Sequence, residues 1–248
     1  MLRIKLVFCL NMYSKIKFKK IYNCGLNPQE VAEKLKKVID DGWGDFGLDY
    51  VNNHILTSKF LILAMNKNEV VGFASAREFT YNTKKIYYLE FTAVSRKFQG
   101  IGLSKKLNRI IFIKILWRSI LRGEMGFDTV SISPNPRILG LILRSSSYCF
   151  PSPWNEEISP KRVWDISNFV LEALGDKYRT FSERNNVLEG FYDETPELVY
   201  DLKNYPRDKD PIVNNFAEKN LDFKNKKGRE FVIYARYNIV DFWRSMWA

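Results

Sequence analysis

Residues 94–107 read Val-Ser-Arg-Lys-Phe-Gln-Gly-Ile-Gly-Leu-Ser-Lys-Lys-Leu, directly after the apolar run Ile86-Tyr-Tyr-Leu-Glu-Phe-Thr-Ala93. The run predicts a strand ending near Val94, then a short basic loop, then a long helix that two glycines open near Gly102. Glycine at a helix entrance lets the main chain approach a ligand with no Cβ in the way. The unpaired N–H groups of the first helical turn and the helix dipole together favour an anion there. The junction therefore reads as a phosphate-holding turn or, more plainly, as a tight turn without a ligand. A dinucleotide fingerprint fits poorly. Its third glycine would fall at Lys105, and the stretch from Val94 to Gln99 is too long for that motif's tight turn.

Working outward, residues 15–22 alternate basic and apolar side chains and predict a strand. Asn27-Pro28-Gln29-Glu30 combines an N-cap, a proline at the first helical position and an acid in the first turn. The helix it starts runs to about Asp41, with Val31, Leu35, Val38 and Ile39 on one face. A short, helical piece is expected at 51–56. Residues 59–65 and 69–76 are two strands joined by Asn66-Lys67-Asn68, a hairpin signal, and a third strand covers 85–94. The helix after the glycines spans about 102–122, residues 128–133 form a buried-type strand, and Asn135-Pro136 caps a helix to about Ser145. Beyond Pro151 the pattern weakens to a helix at 160–174, strands near 186–192 and 229–238, and a charged, proline-bounded loop at 205–211. The aromatic ending at 241–247 is one amphipathic turn, packed on its own domain or facing a partner.

The chain of 248 residues suits one large domain or a domain with an extension, and 46% hydrophobic residues exclude general disorder. No apolar stretch approaches the roughly 20 residues that cross a bilayer. The start, Met1 to Asn11, has too short an apolar core for a signal peptide, so a buried first strand or a tail upstream of Met12 is expected. Three scattered cysteines and a single histidine offer no metal-ligand spacing and fit a reduced, cytoplasmic setting. The net charge of +11 is uneven: residues 1–150 hold 24 Lys and Arg against 11 Asp and Glu, whereas the remainder holds 15 against 17. A polyanion such as coenzyme A or RNA would be drawn to the basic half, unless that charge serves only solubility.

The order strand, helix, hairpin, strand, glycine turn, helix, strand, helix resembles the GNAT superfamily of acyl-coenzyme A N-acyltransferases. That family's signature, Gln/Arg-x-x-Gly-x-Gly/Ala, is matched by Gln99-Gly100-Ile101-Gly102-Leu103-Ser104 except for serine at the end, with Val94 as the hydrophobic anchor five residues earlier. The resemblance covers about residues 15–150. It implies an α/β fold with a mixed, mostly antiparallel central sheet, splayed between its fourth and fifth strands and flanked by helices in three layers. Residues 1–150 would form the acyl-coenzyme A-binding core. Residues 151–248 would complete the sheet with helical inserts in the same globular unit.

The resemblance also implies roles. The backbone of residues 99–104 (Gln99, Gly100, Ile101, Gly102, Leu103, Ser104) would hold the pyrophosphate of acetyl-coenzyme A, the co-substrate, with Lys97, Lys105 and Lys106 either meeting phosphates or forming a solvated helix face. The thioester would lie between the splayed strands, with the Val94 N–H as donor to the oxyanion. Asn135 would touch the pantetheine arm or act only as an N-cap. Glu90, the one acid in the run 86–94, would be the general base, or else a carboxylate paired in the core. The usual tyrosine acid is replaced by Ile142; Tyr148 could substitute if the chain folds back, with 145–147 and Cys149 as weaker candidates. No metal is implied. Trp154, Trp164, Phe181, Phe191 and Tyr192 line an acceptor pocket or belong to the core.

The leading expectation is an N-acetyltransferase acting on a small-molecule or protein amine in a ternary complex, as a monomer or homodimer away from membranes. The alternatives are a catalytically inactive acyl-coenzyme A sensor and an acetyltransferase that contacts RNA, such as charged tRNA, through the basic half.

Overall fold

Capping and turn chemistry place most of the elements. The computed structural model describes residues 16–20, 27–42, 47–56, 58–155, 158–175, 180–190, 206–222 and 228–240. The stretches 1–11 and 241–247 discussed above, with Phe191 and Tyr192, lie outside them. The chain divides into two units, residues 1–77 with 90–115, and residues 78–89 with 116–248.

In the first unit, strand β1 (Ile16–Lys20) pairs antiparallel with β2 (Phe60–Asn66), from Ile16↔Asn66 to Lys20↔Ile62. A turn with Lys67 at φ 54° then leads into β3 (Glu69–Tyr81), antiparallel to β2. Helix α1 (Pro28–Gly42) begins with a reciprocal cap. Asn27 Oδ1 accepts from the Glu30 N–H at 2.8 Å, and Glu30 Oε2 accepts from the Asn27 N–H at 3.0 Å. The expected face of α1, Val31, Leu35, Val38 and Ile39, is fully buried against Leu61, Leu63, Phe73 and Phe91. A short helix α2 (Gly47–Tyr50) runs on as a π-helical turn, Val51–Ile55, where the helical piece was expected. Strand β4 (Lys84–Val94), a 3₁₀ turn (Arg96–Phe98) and helix α3 (Leu103–Leu121) follow. The strand order here is β1-β2-β3-β4.

In the second unit, β3 turns into β4 through Asn82 and Thr83, both left-handed with φ 44° and 70°, the geometry of a two-residue hairpin turn. Strand β5 (Gly126–Ser133) lies parallel to β4 over three pairs only, Ile86↔Asp128 to Tyr88↔Val130. Strand β4 continues to Val94 and β5 to Ser133, so the two strands part beyond that point. Strand β9 (Arg229–Asn238) pairs antiparallel with the whole of β5. Helix α4 (Pro136–Ser145) is followed by β6 (Tyr148–Phe150) on β9, and helix α5 (Lys161–Leu174) by β7 (Thr180–Ser182) and β8 (Val187–Glu189). Helix α6 (Pro211–Leu221) precedes β9. The order is β4-β5-β9-β8-β7. Val163, Ile166, Val170 and Leu171 of α5 pack on Ile86, Val130, Val232 and Tyr234.

The fold is thus the expected mixed α/β type, mostly antiparallel with one parallel pair that splays. One local reading needs correction. Among the described residues the strand expected at 186–192 covers only Val187–Glu189, because Asn185 and Asn186 are left-handed before it and Gly190 after it. The loop expected at 205–211 is present over the described residues 206–210, and helix α6, which no local reading specified, follows from Pro211 with Asp210 as its N-cap, accepting from the Ile212 N–H.

Candidate functional site

The loop after Val94 is held from several sides within the first unit. The Arg96 N–H donates to Asp41 Oδ2 of α1 at 2.7 Å, and the Phe98 N–H donates to the Ser95 carbonyl at 2.8 Å while its ring is buried. Gln99 closes the loop twice: its N–H donates to the Arg96 carbonyl and its Nε2 to the Val94 carbonyl at 2.9 Å. Gln99 is therefore a brace, and its own N–H is already engaged. Gly100 and Gly102 have φ of 77° and 78°, a region that side chains with a Cβ rarely adopt. A Cβ on Gly100 would meet nothing within 4 Å, so the missing side chain opens onto free space.

Helix α3 has no acid in its first turn. Its first backbone bond runs from Lys106 N–H to the Gly102 carbonyl, leaving the amides of 103–105 outside the helical ladder. Leu103 points into the core, while Gly102, Ser104 and Lys105 are exposed. An exposed glycine entrance with spare amides and nearby Lys97 and Lys105 fits a pyrophosphate. Lys106 takes a role the sequence did not suggest, its ammonium lying 4.8 Å from the centroid of the Phe18 ring.

Val94 sits at a close approach of strands. A Cβ on Gly72 of β3 would lie 3.1 Å from the Ala93 carbonyl and 3.2 Å from Val94 Cγ2. Glycine at 72 is what lets β3 run this close to the end of β4. Beside it on β4, Thr92 Oγ1 donates to Asn108 Oδ1 of α3 at 2.9 Å.

Glu90 is divided between inside and outside. Its side chain is only 1% exposed, yet the residue as a whole is half-buried, so the open surface belongs to its main chain. The carboxylate is paired with Arg77 at 2.7 Å, and it accepts from the Ser58 hydroxyl and, at 3.4 Å, from Ser75. Burial raises its pKa above the ordinary carboxylate range, outweighing Arg77 and the serines, which lower it. The sequence did not single out Ser58, Ser75 or Arg77. The two-residue turn at Asn82 and Thr83 could have singled out Ser75 alone, since counting back from it sets residue 75 opposite residue 90.

The remaining candidates lie in the second unit. The Oδ1 of Asn135 caps α4, accepting from the Arg137 N–H at 2.9 Å. Ile142 is buried, and its carbonyl accepts from Ser145 and Ser146. The chain then folds back: the Ser147 N–H and hydroxyl both donate to the Arg236 carbonyl, and Tyr148 opens β6. Tyr148 is 37% exposed, and burial of its ring raises the phenol pKa. Cys149 is buried with its thiol pushed well up, so it remains a thiol. Trp164 stacks on Phe181 at 4.2 Å, whereas Trp154 is exposed. Among the described residues no cluster could hold a metal ion and no helix is long and apolar enough to cross a membrane.

Residues 29–112 match the model of the Acetyltransferase (GNAT) family. No curated protein matches the sequence. Similar solved structures include a GNAT-family protein of Desulfovibrio desulfuricans, 16% identical, covering 90% of this chain and 98% of its own with TM-score 0.41. An Arabidopsis thaliana protein in complex with the bisubstrate analogue CoA-Ac-MVNAL is 13% identical, covering 59% of this chain and 93% of its own, with TM-score 0.41. YhbS of Escherichia coli, a GNAT family N-acetyltransferase in complex with CoA, is 11% identical, covering 48% and 63%, with TM-score 0.38. The matched segment contains the bracing loop, the left-handed glycines and the start of α3, and over those residues the chain is similar to the Acetyltransferase (GNAT) family.

Proposed function

We propose that the protein transfers an acetyl group from acetyl-coenzyme A to a primary amine by direct attack in a ternary complex. The observation that supports this best is the exposed, uncapped entrance of α3, where the left-handed Gly100 leaves open the space a side chain would fill. Bound coenzyme A supplies an activated thioester. The amides of 100–104 and Lys105 bind its pyrophosphate, with Lys97 close by, while the exposed main chain around Glu90 lies along the acyl arm. The Val94 N–H stabilises the oxyanion. Glu90 accepts the amine's proton through the Ser58 hydroxyl that already donates to it.

A thermal shift with acetyl-coenzyme A tests the binding step. Ligand at 100 times its Kd adds about 2.7 kcal/mol of stability, and no shift at millimolar concentration overturns the proposal. Glu90→Gln is then expected to lower turnover about a hundredfold with coenzyme affinity nearly unchanged. Because the pKa of Glu90 is raised, kcat/KM rises with pH through that value as the base form appears, and this limb disappears in the variant. Equal loss of affinity and turnover would count against the role.

A second reading, a binding-only descendant, draws on Ile142 at the usual tyrosine position and on the closed pairing of Glu90 with Arg77. A clear thermal shift with no transfer to any amine in a broad panel favours it over the first.

A further inference from the structure

The end of helix α1 meets the loop that leads to the glycine turn at two places. Asp41 Oδ2 accepts from the Arg96 N–H at 2.7 Å. A Cβ built on Gly42, the next residue, would stand 3.4 Å from the Val94 carbonyl and 3.8 Å from Gln99 Nε2. Those two groups form the hydrogen bond that closes the loop, so α1 ends directly against it.

Asp41 occupies a place its own helix disfavours. It is exposed in the last turn of α1, which carries no basic residue, and a carboxylate there opposes the helix dipole. The adjacent Asp40 is offset by Lys36, one turn earlier, at 2.6 Å. The Asp41 carboxylate is turned instead to a main-chain amide of another element.

That amide is one of four engaged in the loop. The N–H groups of Ser95, Phe98 and Gln99 donate to the carbonyls of Val71, Ser95 and Arg96. Of the four bonds, the one from Arg96 alone ends on a side chain, so a single substitution can remove it and leave the main-chain bonds in place. The acid also has an adverse side. Arg96 and Lys97 bring positive charge to a turn that suits phosphates, and a carboxylate beside them weakens that field. Asparagine would supply the acceptor without the charge.

We infer, resting on the acyl-transfer reading, that Asp41 is a positioning residue of the coenzyme turn. Its charge-assisted hydrogen bond fixes the main chain of 96–99 and, through it, the direction of the amides of 100–104. Full-length wild type, Asp41→Ala, Asp41→Asn and Asp40→Ala are titrated calorimetrically with coenzyme A, and exchange of the Arg96 amide is followed by NMR without ligand. Asp41→Ala is expected to weaken coenzyme A binding about tenfold or more and to lower Arg96 protection by a similar factor. Asp41→Asn should keep that protection and bind at least as tightly as wild type. Asp40→Ala removes the same charge one residue away, and should alter neither protection nor binding in the direction of Asp41→Ala. A merely structural role would not yield this rescue by asparagine. Affinity of Asp41→Ala within about twofold of wild type overturns the role, as does Asp41→Asn as weak as Asp41→Ala. Wild type that fails to bind coenzyme A at millimolar concentration overturns the acyl-transfer reading and this role together, whereas wild-type binding with unresponsive variants overturns this role alone.

Discussion

Asp208→Ala is expected to lower the unfolding free energy by about 3 kcal/mol, the lower end of what removing one partner of a buried ion pair costs. The Asp208 side chain is 1% exposed and is gripped by Arg144 through two hydrogen bonds of 2.7 and 2.8 Å. It also accepts from the Asp210 N–H at 2.9 Å, ordering the turn that leads into α6. Its own N–H and carbonyl are both bonded to Asn214 of that helix. Arg144 is 39% exposed, so the orphaned guanidinium can turn to water, which keeps the loss from being larger. The Arg144 hydrogen bonds, first among the causes, hold the Asp208 pKa below the ordinary carboxylate range. The stabilisation is therefore complete above the unfolded-state pKa and is lost as pH falls through the lower folded value. Urea denaturation at neutral and acidic pH should show the gap between wild type and variant closing in acid. A neutral-pH loss below about 1 kcal/mol contradicts the assignment. Gly140→Ala should move in the same direction, since its Cβ would stand 2.4 Å from Asp208 Oδ2.

Glu230→Gln is expected to act in the opposite sense, raising stability in alkaline solution. Glu230 is 2% exposed on β9, its Oε2 has no hydrogen-bond partner among the described residues, and burial pushes its pKa up to about 8. A carboxyl with a raised folded pKa imposes no penalty below the unfolded value, near 4.5. As pH rises from there to about 8, folding must either keep the proton or bury the charge, and stability falls by about 1.4 kcal/mol per pH unit. The full penalty reaches at most about 5 kcal/mol, all of it absent in glutamine. Wild type should thus lose stability between pH 5 and pH 9 relative to Glu230→Gln. Parallel pH profiles would falsify the burial of an unpaired carboxyl.

Much of the fold was legible because local rules and tertiary packing agree. Three helices begin with an Asx-Pro pair: Asn27-Pro28, Asn135-Pro136 and Asp210-Pro211. The first two were read correctly because an apolar face follows each within a turn. The third carries no comparable signal, because a charged loop precedes it and its apolar positions, Val213, Ala217 and Leu221, are sparse. The glycine turn was legible because left-handed geometry restricts residue type. The partners of Glu90 were less so, since Ser58 and Arg77 come from distant positions and carry no periodic signal, and Ser75 is reached only by counting register back from the β3–β4 turn. They become neighbours only through the tertiary fold. Asn135 kept the capping role its sequence context suggested, and the fold-back that brings Tyr148 onto β9 depends on Ser147, which has no distinctive neighbourhood in the sequence.

The division of Glu90 between a buried side chain and an exposed main chain bears on how the protein can change over generations. A peptide edge is the same whatever residue provides it, so substitutions at position 90 would erase the proposed proton transfer and leave the proposed edge for the acyl arm intact. Conversely, Gly72 and Gly100 can be altered without touching the carboxylate. Under the proposed function, ligand capture and chemistry would thus be separately heritable traits, and a lineage would lose the second while selection preserves the first.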